Sequence, residues 1–284
     1  MADADLRPMS LGEVLDRTFK IYRNHFWLFA GITALPSGVL LLFRLANSAW
    51  TVSRIGHTGP GQFPSFSPAA AFSTIIISII GGVAFCLLAG YAQGATVFAV
   101  SDLYLGRATG VRDSYRHVGI KGLRVFFIFL LLGLVIGVGF LLLIIPGIIL
   151  ACRVALSVPV SMLEDAGPVR SIERSMQLTK GHGMQIFVIL LMVVVLFYVV
   201  AMVFQFPFVF LLMTAAKAQQ GLSFLTLLAI NVANFLSEVL VWPVATIALA
   251  LMYYNLRVRK EAFDIQHQMA TLNTNPTLGT PSAV

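Results

Sequence analysis

Three polar residues share one face of an otherwise apolar stretch in the last quarter of the chain. Asn231, Asn234 and Glu238 stand at i, i+3 and i+7, which is the spacing of one helix face. A charged side chain at the centre of a membrane-spanning helix costs at least about 2.5–3.5 kcal/mol. This polar stripe is therefore expected to face the interior of a helix bundle.

The stripe is open to two interpretations. It lines a path for a solute or a proton, or it supplies hydrogen bonds between helices and a Glu238–Arg153 ion pair that hold the bundle together. Arg44, near one end of the first apolar stretch, is expected to extend its head group to the membrane surface instead. The further candidates for such a path are Gln93, Gln205 and Arg153.

The residue types of common catalytic and metal sites do not form recognisable motifs. The sequence has no H-E-x-x-H, no G-x-S-x-G, no Walker lysine loop and no G-x-G-x-x-G. Its five histidines are scattered, and Cys86 and Cys152 lie inside apolar stretches where they act as small hydrophobic residues. The sequence therefore predicts no enzyme, no catalytic residue, no metal site and no cofactor.

The composition places these residues in a lipid bilayer. Of 284 residues, 58% are hydrophobic and 11% are charged, against roughly 25% charged in soluble domains. The mean hydropathy is +0.88. A water-soluble fold cannot cover that much apolar surface. Soluble enzymes, disordered proteins, coiled coils and disulfide scaffolds are thereby excluded.

Charge-free runs of about 20 residues predict membrane spans. The chain is read as one all-α domain over residues 1–267, followed by a disordered cytoplasmic tail over 268–284. Pro146-Gly147 interrupts one long apolar run, so a tight turn is predicted there. The six predicted spans cover about 27–49, 69–100, 123–145, 148–163, 185–213 and 224–256.

The positions of Lys and Arg predict the orientation. Fifteen of the 19 fall on one side of the predicted spans, and such residues concentrate on the cytoplasmic side. Both termini are therefore expected in the cytoplasm. The acidic segment before the first span is unlike a signal peptide. The net charge of +7 thus reflects topology and contact with anionic lipids, and indicates no nucleic-acid binding.

Three segments on this side predict amphipathic helices. The first begins with a capping box, Ser10 and Glu13. The other two share the pattern Val-Arg-x-x-x-Arg followed by Lys-Gly. We expect three parallel repeats, each an in-plane helix followed by two spans; the alternative is ordinary positively charged loops. The residues expected to contact lipids or partner proteins are Arg112, Arg116, Lys121, Arg170, Arg174 and Lys180.

The two ends of the chain carry a resemblance. The opening segment reads RPMSLGEVLDRTF (residues 7–19), and the closing segment reads MYYNLRVRKEAFD (residues 252–264). Together with Ile145-Pro146-Gly147, Arg153, Glu164 and Arg174-Ser175-x-x-Leu178, they resemble uncharacterised bacterial membrane proteins related to the glycerophosphoryl diester phosphodiesterase membrane domain. Asn255 and Ala262 depart from the Asp and Gly expected in that pattern.

The resemblance implies a fold and a membrane location. It carries over no catalytic residue, because the phosphodiesterases that have such a membrane region place their chemistry in a separate soluble barrel. The expected function is a non-catalytic membrane protein that organises lipids or as yet unknown partner proteins. The alternative is a small-solute or lipid transporter that uses the polar stripe. The sequence leaves the oligomeric state open.

Overall fold

The computed structural model describes residues 9–55, 68–104, 106–119, 121–217 and 224–274, and these ranges contain helices and no strand. The helices, in chain order, are α1 Leu11–Asn24, α2 Phe26–Ile55, α3 Pro68–Tyr104, α4 Val111–Val118, α5 Lys121–Leu142, α6 Ile144–Val154, α7 Ser157–Leu163, α8 Pro168–Thr179, α9 Gly183–Lys217 and α10 Phe224–Thr274.

Within the described residues, six stretches are long and apolar enough to cross a membrane. Each overlaps one predicted span, which confirms an all-α, multi-pass membrane protein. Their bounds are Phe26–Ala49, Ile75–Tyr104, Lys121–Leu142, Ile144–Leu163, Gly183–Phe210 and Leu225–Glu261.

The third and fourth spans are joined one helical turn earlier than predicted. The helix breaks at Leu143, whose backbone is extended (φ −165°, ψ 152°), and not at Pro146-Gly147. Pro146 instead lies in the first turn of α6, where a missing N–H costs nothing because the first helical donors have no partner. Gly147 donates the first helical hydrogen bond, to the Leu143 carbonyl at 3.2 Å.

Glycine residues allow α5 and α6, which form a helical hairpin, to touch. A Cβ atom on Gly139 of α5 would lie 3.0 Å from the backbone of Gly147. At the other end of the hairpin, Arg124 at the start of α5 reaches Asp165, just after α7, at 2.5 Å. The α6–α7 pair therefore runs back along the whole of α5.

The three predicted amphipathic helices are α1, α4 and α8. The capping box of α1 is present: the Ser10 N–H donates to the Glu13 carboxylate at 2.6 Å, and the Glu13 N–H donates to the Ser10 hydroxyl at 3.3 Å. Pro168 occupies the predicted first position of α8. The order helix, span, span recurs three times along the chain. Structural equivalence of the three units stays a prediction.

Helix α1 packs along α10, while the orientation of the three amphipathic helices relative to the membrane plane stays a prediction. The Met9 N–H donates to Asn255, while the Tyr22 hydroxyl donates to the Leu240 carbonyl, so α1 runs antiparallel to α10. Their apolar faces cover protein instead of lipid, and Val14 of α1 is fully buried. Burial raises the pKa of Tyr22 to about 12, which keeps its phenol a neutral donor.

The other two amphipathic helices pack in the same manner. Helix α4 packs against α3, where the Phe98 ring lies 6.0 Å from the His117 ring and the Gly94 backbone approaches Val118. In α8, the Ser171 hydroxyl donates to the Ala166 carbonyl, three residues after α7. The Thr179 hydroxyl donates to the Arg153 carbonyl, near the end of α6. Each amphipathic helix thus packs against at least one span.

The packed core lies at one end of the bundle. We call this end, which carries α1, α4, α8 and Arg257–Lys260, the basic end, and the opposite end the apolar end. At the basic end, the buried residues include Val97, Leu156 and Leu251. Toward the apolar end, large apolar side chains are exposed on most helices, such as Ile80, Leu141 and Val203. This exposed layer is the surface that lipid chains would cover.

The predicted tail, residues 268–284, begins within α10, and its disorder stays a prediction. Residues 268–274 continue α10, and residues 275–284 lie outside the described part of the chain. The sequence between Pro243 and Pro276 contains no proline or glycine. No helix-breaking residue therefore ends α10 where its sequence becomes polar.

Candidate functional site

Glu238 of the polar stripe is paired with Arg44. The Arg44 guanidinium lies 2.9 Å from Glu238 Oε1, and the Glu238 side chain is 11% exposed. The second carboxylate oxygen, Oε2, is buried without a hydrogen-bond partner in the described part of the chain. The pair therefore joins α2 to α10 inside the apolar region.

The two asparagines of the stripe also connect helices. The Asn231 amide donates to the Ser48 hydroxyl of α2 at 3.2 Å and to its own helix at 2.8 Å. The Gln205 amide of α9 donates to Asn234 Oδ1 at 2.7 Å. The stripe thus holds α10 to α2 on one side and to α9 on the other, as interhelical hydrogen bonds between polar residues do in membranes.

The predicted Glu238–Arg153 pair is wrong. Arg153 is the next-to-last residue of α6 and is exposed, beside a recess of about 350 Å³ that Lys180 and Met184 also line. Its backbone carbonyl accepts hydrogen bonds from Ser175 at 2.8 Å and Thr179 at 3.2 Å. Hydropathy predicts which segments span a membrane, but not which spans lie next to each other. Here Glu238 of α10 contacts α2 and not α6.

The basic residues around α4 divide into two groups. Arg112 and Arg116 are exposed and form no ion pair with an acidic residue in the described ranges. Lys121 and Arg124 both contact Asp165, at 3.3 and 2.5 Å. The hydrogen bond from Arg124, with Lys121, holds the pKa of Asp165 below its usual range. This second group fixes the start of α5 to the turn after α7.

The basic residues of α8 divide in the same way. Arg170 and Lys180 are exposed and have no acidic partner within the part of the chain described. Arg174 lies 3.3 Å from Glu164 and 3.0 Å from Glu261 of α10. A polar recess of about 400 Å³ adjoins this network; Glu164, Arg170, Glu173, Arg174 and Gln177 line it.

A contact between the two ends of the chain was missed from the sequence. The Asn255 side chain accepts from the Met9 N–H at 2.8 Å and donates to the Met9 carbonyl at 3.0 Å. Arg259 also donates to that carbonyl, at 2.6 Å. Met9 and Asn255 are both buried. The only available signal was that the opening and closing motifs contain these residues.

An aromatic stack extends this contact. The Arg17 guanidinium lies 4.6 Å from the centre of the Tyr104 ring. Tyr104 stacks on Tyr254 at 5.1 Å, and the Tyr254 hydroxyl donates to the Ser101 hydroxyl at 2.9 Å. The stack therefore joins α1, α3 and α10 at the basic end.

Neither a metal-binding cluster nor a match to a known protein identifies the function of these residues. Among the described residues, no three His, Cys, Asp or Glu side chains are close enough together to hold a metal ion. No family model, curated protein or solved structure matches this chain.

Proposed function

We propose that the chain is a non-catalytic protein of a bacterial cytoplasmic membrane, with both termini in the cytoplasm, that organises anionic lipids and the partner proteins that meet them. In this proposal the basic end faces the cytoplasm. The resemblance of residues 7–19 and 252–264 to proteins related to the glycerophosphoryl diester phosphodiesterase membrane domain agrees with such a role.

One observation carries the proposal. Arg112, Arg116, Arg170 and Lys180 remain exposed without acidic partners among the described residues, while Arg44, Arg124, Arg174 and Arg257 form ion pairs inside the protein. These four cations lie on α4 or α8, or directly after α8, and these two helices lead into α5 and α9. A cation near an anionic membrane surface attracts head groups by about 1 kcal/mol.

The alternative is transport along the polar stripe. The unpartnered Oε2 atom of Glu238 favours it. The hydrogen bonds that engage Asn231 and Asn234 with neighbouring helices weigh against it. Transport requires Glu238→Gln to abolish a flux, for example of protons into vesicles containing the protein, while folded protein is retained.

The test of the main proposal measures lipids that stay bound. Nanodiscs of phosphatidylethanolamine and phosphatidylglycerol would carry the wild type and Arg112→Gln/Arg116→Gln, and native mass spectrometry would count the lipids retained on each. Removing two charges should lower phosphatidylglycerol retention roughly 30-fold, which corresponds to about 2 kcal/mol.

Arg112→Lys/Arg116→Lys is the matched control, since it keeps both charges and both positions. It should retain phosphatidylglycerol as the wild type does. Equal phosphatidylglycerol retention by the Gln and Lys variants would refute the proposal, and so would a wild type without excess phosphatidylglycerol.

A further inference from the structure

A cavity of about 290 Å³ lies between α2, α3, α5 and α10. Aromatic side chains from three of these helices line it: Phe85, Phe129 and Trp242. Its polar lining consists of hydroxyl groups and one amide, without a charged side chain. Such a mostly apolar pocket with a few polar groups is the usual form of a small-ligand site.

Two of these polar groups have no hydrogen-bond partner among the described residues. The hydroxyls of Thr33, Thr96 and Thr246 donate to carbonyls of their own helices, at 2.9, 2.8 and 3.3 Å. The Ser37 hydroxyl and the Gln93 amide form no hydrogen bond within the described ranges, although Ser37 is only 4% exposed. Both groups line the cavity, so a ligand bound there would supply hydrogen bonds that the described residues do not.

An apolar groove continues from the cavity toward the surrounding lipid. It has a volume of about 620 Å³, lies between α3 and α5, and shares Cys86 and Phe129 with the cavity. Two glycines open its walls, because a Cβ atom on Gly82 or Gly133 would meet nothing within 4 Å. The groove runs from Cys86 to Ile79 along α3, a length of roughly 10 Å.

The depth of both features matches a lipid of the leaflet at the basic end. Trp27, at the start of α2, is 84% exposed, and such residues mark the membrane interface. Thr33 of the cavity lies six residues farther along α2, roughly 9 Å deeper. The groove leads from the cavity toward the apolar end. A lipid head in the cavity would thus lie slightly below the interface, with a chain pointing to the midplane.

We propose that the cavity binds the head of one uncharged lipid, of the diacylglycerol kind, whose acyl chain occupies the groove between α3 and α5. Ser37 and Gln93 hydrogen-bond its hydroxyl and ester oxygens. A charged head is disfavoured because the cavity lining carries no charge and the ion pair on the next turns of α2 and α10, Arg44–Glu238, is neutral as a whole. This site uses none of the cations of the proposed function and goes beyond it.

The experiment uses dioleoylglycerol as the probe. Nanodiscs of phosphatidylethanolamine and phosphatidylglycerol containing a few per cent of it would be analysed by native mass spectrometry. The expected result is one dioleoylglycerol retained per wild-type chain. Gln93→Leu should lower this retention about tenfold, as the loss of one hydrogen bond in an apolar site does.

The groove has a matched pair of variants. Gly133→Leu fills the groove, whereas Gly137→Leu adds the same side chain one turn farther along α5, where a Cβ atom also meets nothing within 4 Å. Gly133→Leu should abolish dioleoylglycerol retention and Gly137→Leu should leave it unchanged. Equal effects of the two variants would overturn the proposal. Wild-type protein that retains no dioleoylglycerol, or that retains phosphatidylglycerol in preference to it at this site, would overturn it as well. Because phosphatidylglycerol is counted in the same spectra, failure here is distinguishable from failure of the proposed function.

Discussion

Replacing Arg44 by Met should be among the most destabilising single changes in the protein. The variant leaves the Glu238 carboxylate, whose side chain is 11% exposed, without its cation. Oε2 already lacks a hydrogen-bond partner in the described chain, so neither oxygen would be satisfied.

The magnitude follows from the geometry. Two unit charges 2.9 Å apart attract by about 6 kcal/mol at an effective dielectric constant of about 20. Desolvation of both groups offsets much of this attraction, and removal of one partner from a buried pair costs about 3–5 kcal/mol. Glu238→Met should cost less, roughly 1.5–3 kcal/mol, because the Arg44 side chain is 33% exposed and can turn toward the surface.

Removal of both charges should restore stability. Arg44→Met/Glu238→Met leaves no unpaired charge, so its free energy of unfolding should return to within about 1 kcal/mol of the wild type. The free energy would be measured by unfolding in mixed micelles of increasing SDS fraction, followed by tryptophan fluorescence. Arg153→Met is the matched control: the same substitution at an exposed arginine should change stability by less than about 0.5 kcal/mol.

A double variant less stable than Arg44→Met would refute this reasoning. It would mean that the two side chains act through separate packing contacts and not as an ion pair. A wild-type-like Arg44→Met would refute it as well, because Glu238 would then have another source of solvation.

Three further changes test other contacts. Asn255→Leu should speed hydrogen exchange throughout α1 at least tenfold, because two buried hydrogen bonds to the N-terminal segment are lost; unchanged exchange would exclude this anchoring. The lowered pKa of Asp165 stabilises the fold above the unfolded value of about 3.9, and this contribution is lost as pH falls through the lower folded pKa. Asp165→Asn keeps the turn's φ of +54° and should remove that part of the pH dependence, measured by thermal unfolding. Gly139→Val should destabilise the hairpin by about 1–3 kcal/mol through contact with the facing backbone, whereas Gly137→Val should be nearly neutral in the SDS assay.

The sequence predicts the spans well because their signal is local. A charge-free run of about 20 residues needs no knowledge of its neighbours, and all six such runs are confirmed. The capping box at Ser10 is equally local and is also present. The break at Leu143 instead of Pro146 shows the limit of a local signal, because proline is accommodated in the first turn of a helix as readily as in a turn.

The site contacts were harder to predict because they depend on which helices are adjacent. The polar stripe was placed on one face correctly by helical periodicity, yet the cation opposite Glu238 was misassigned. Arg44 and Arg153 both lie within apolar runs, and nothing in either sequence context distinguishes them. The Met9–Asn255 contact was missed for the same reason, since 246 residues separate the two partners.

That separation has a consequence for how the protein is made. At about 5–20 residues per second, a ribosome needs roughly 12–50 s to reach Asn255 after completing Met9. During this interval α1 has no surface of α10 to cover Val14, and the nearest apolar surface is the membrane interface itself, where amphipathic helices bind reversibly. Helix α1 would then stay bound to the lipid surface and pack against α10 only after that span is inserted. A nascent chain that stops before α10 would leave α1 undocked, and its exposed apolar face would distinguish the truncated product from the finished one.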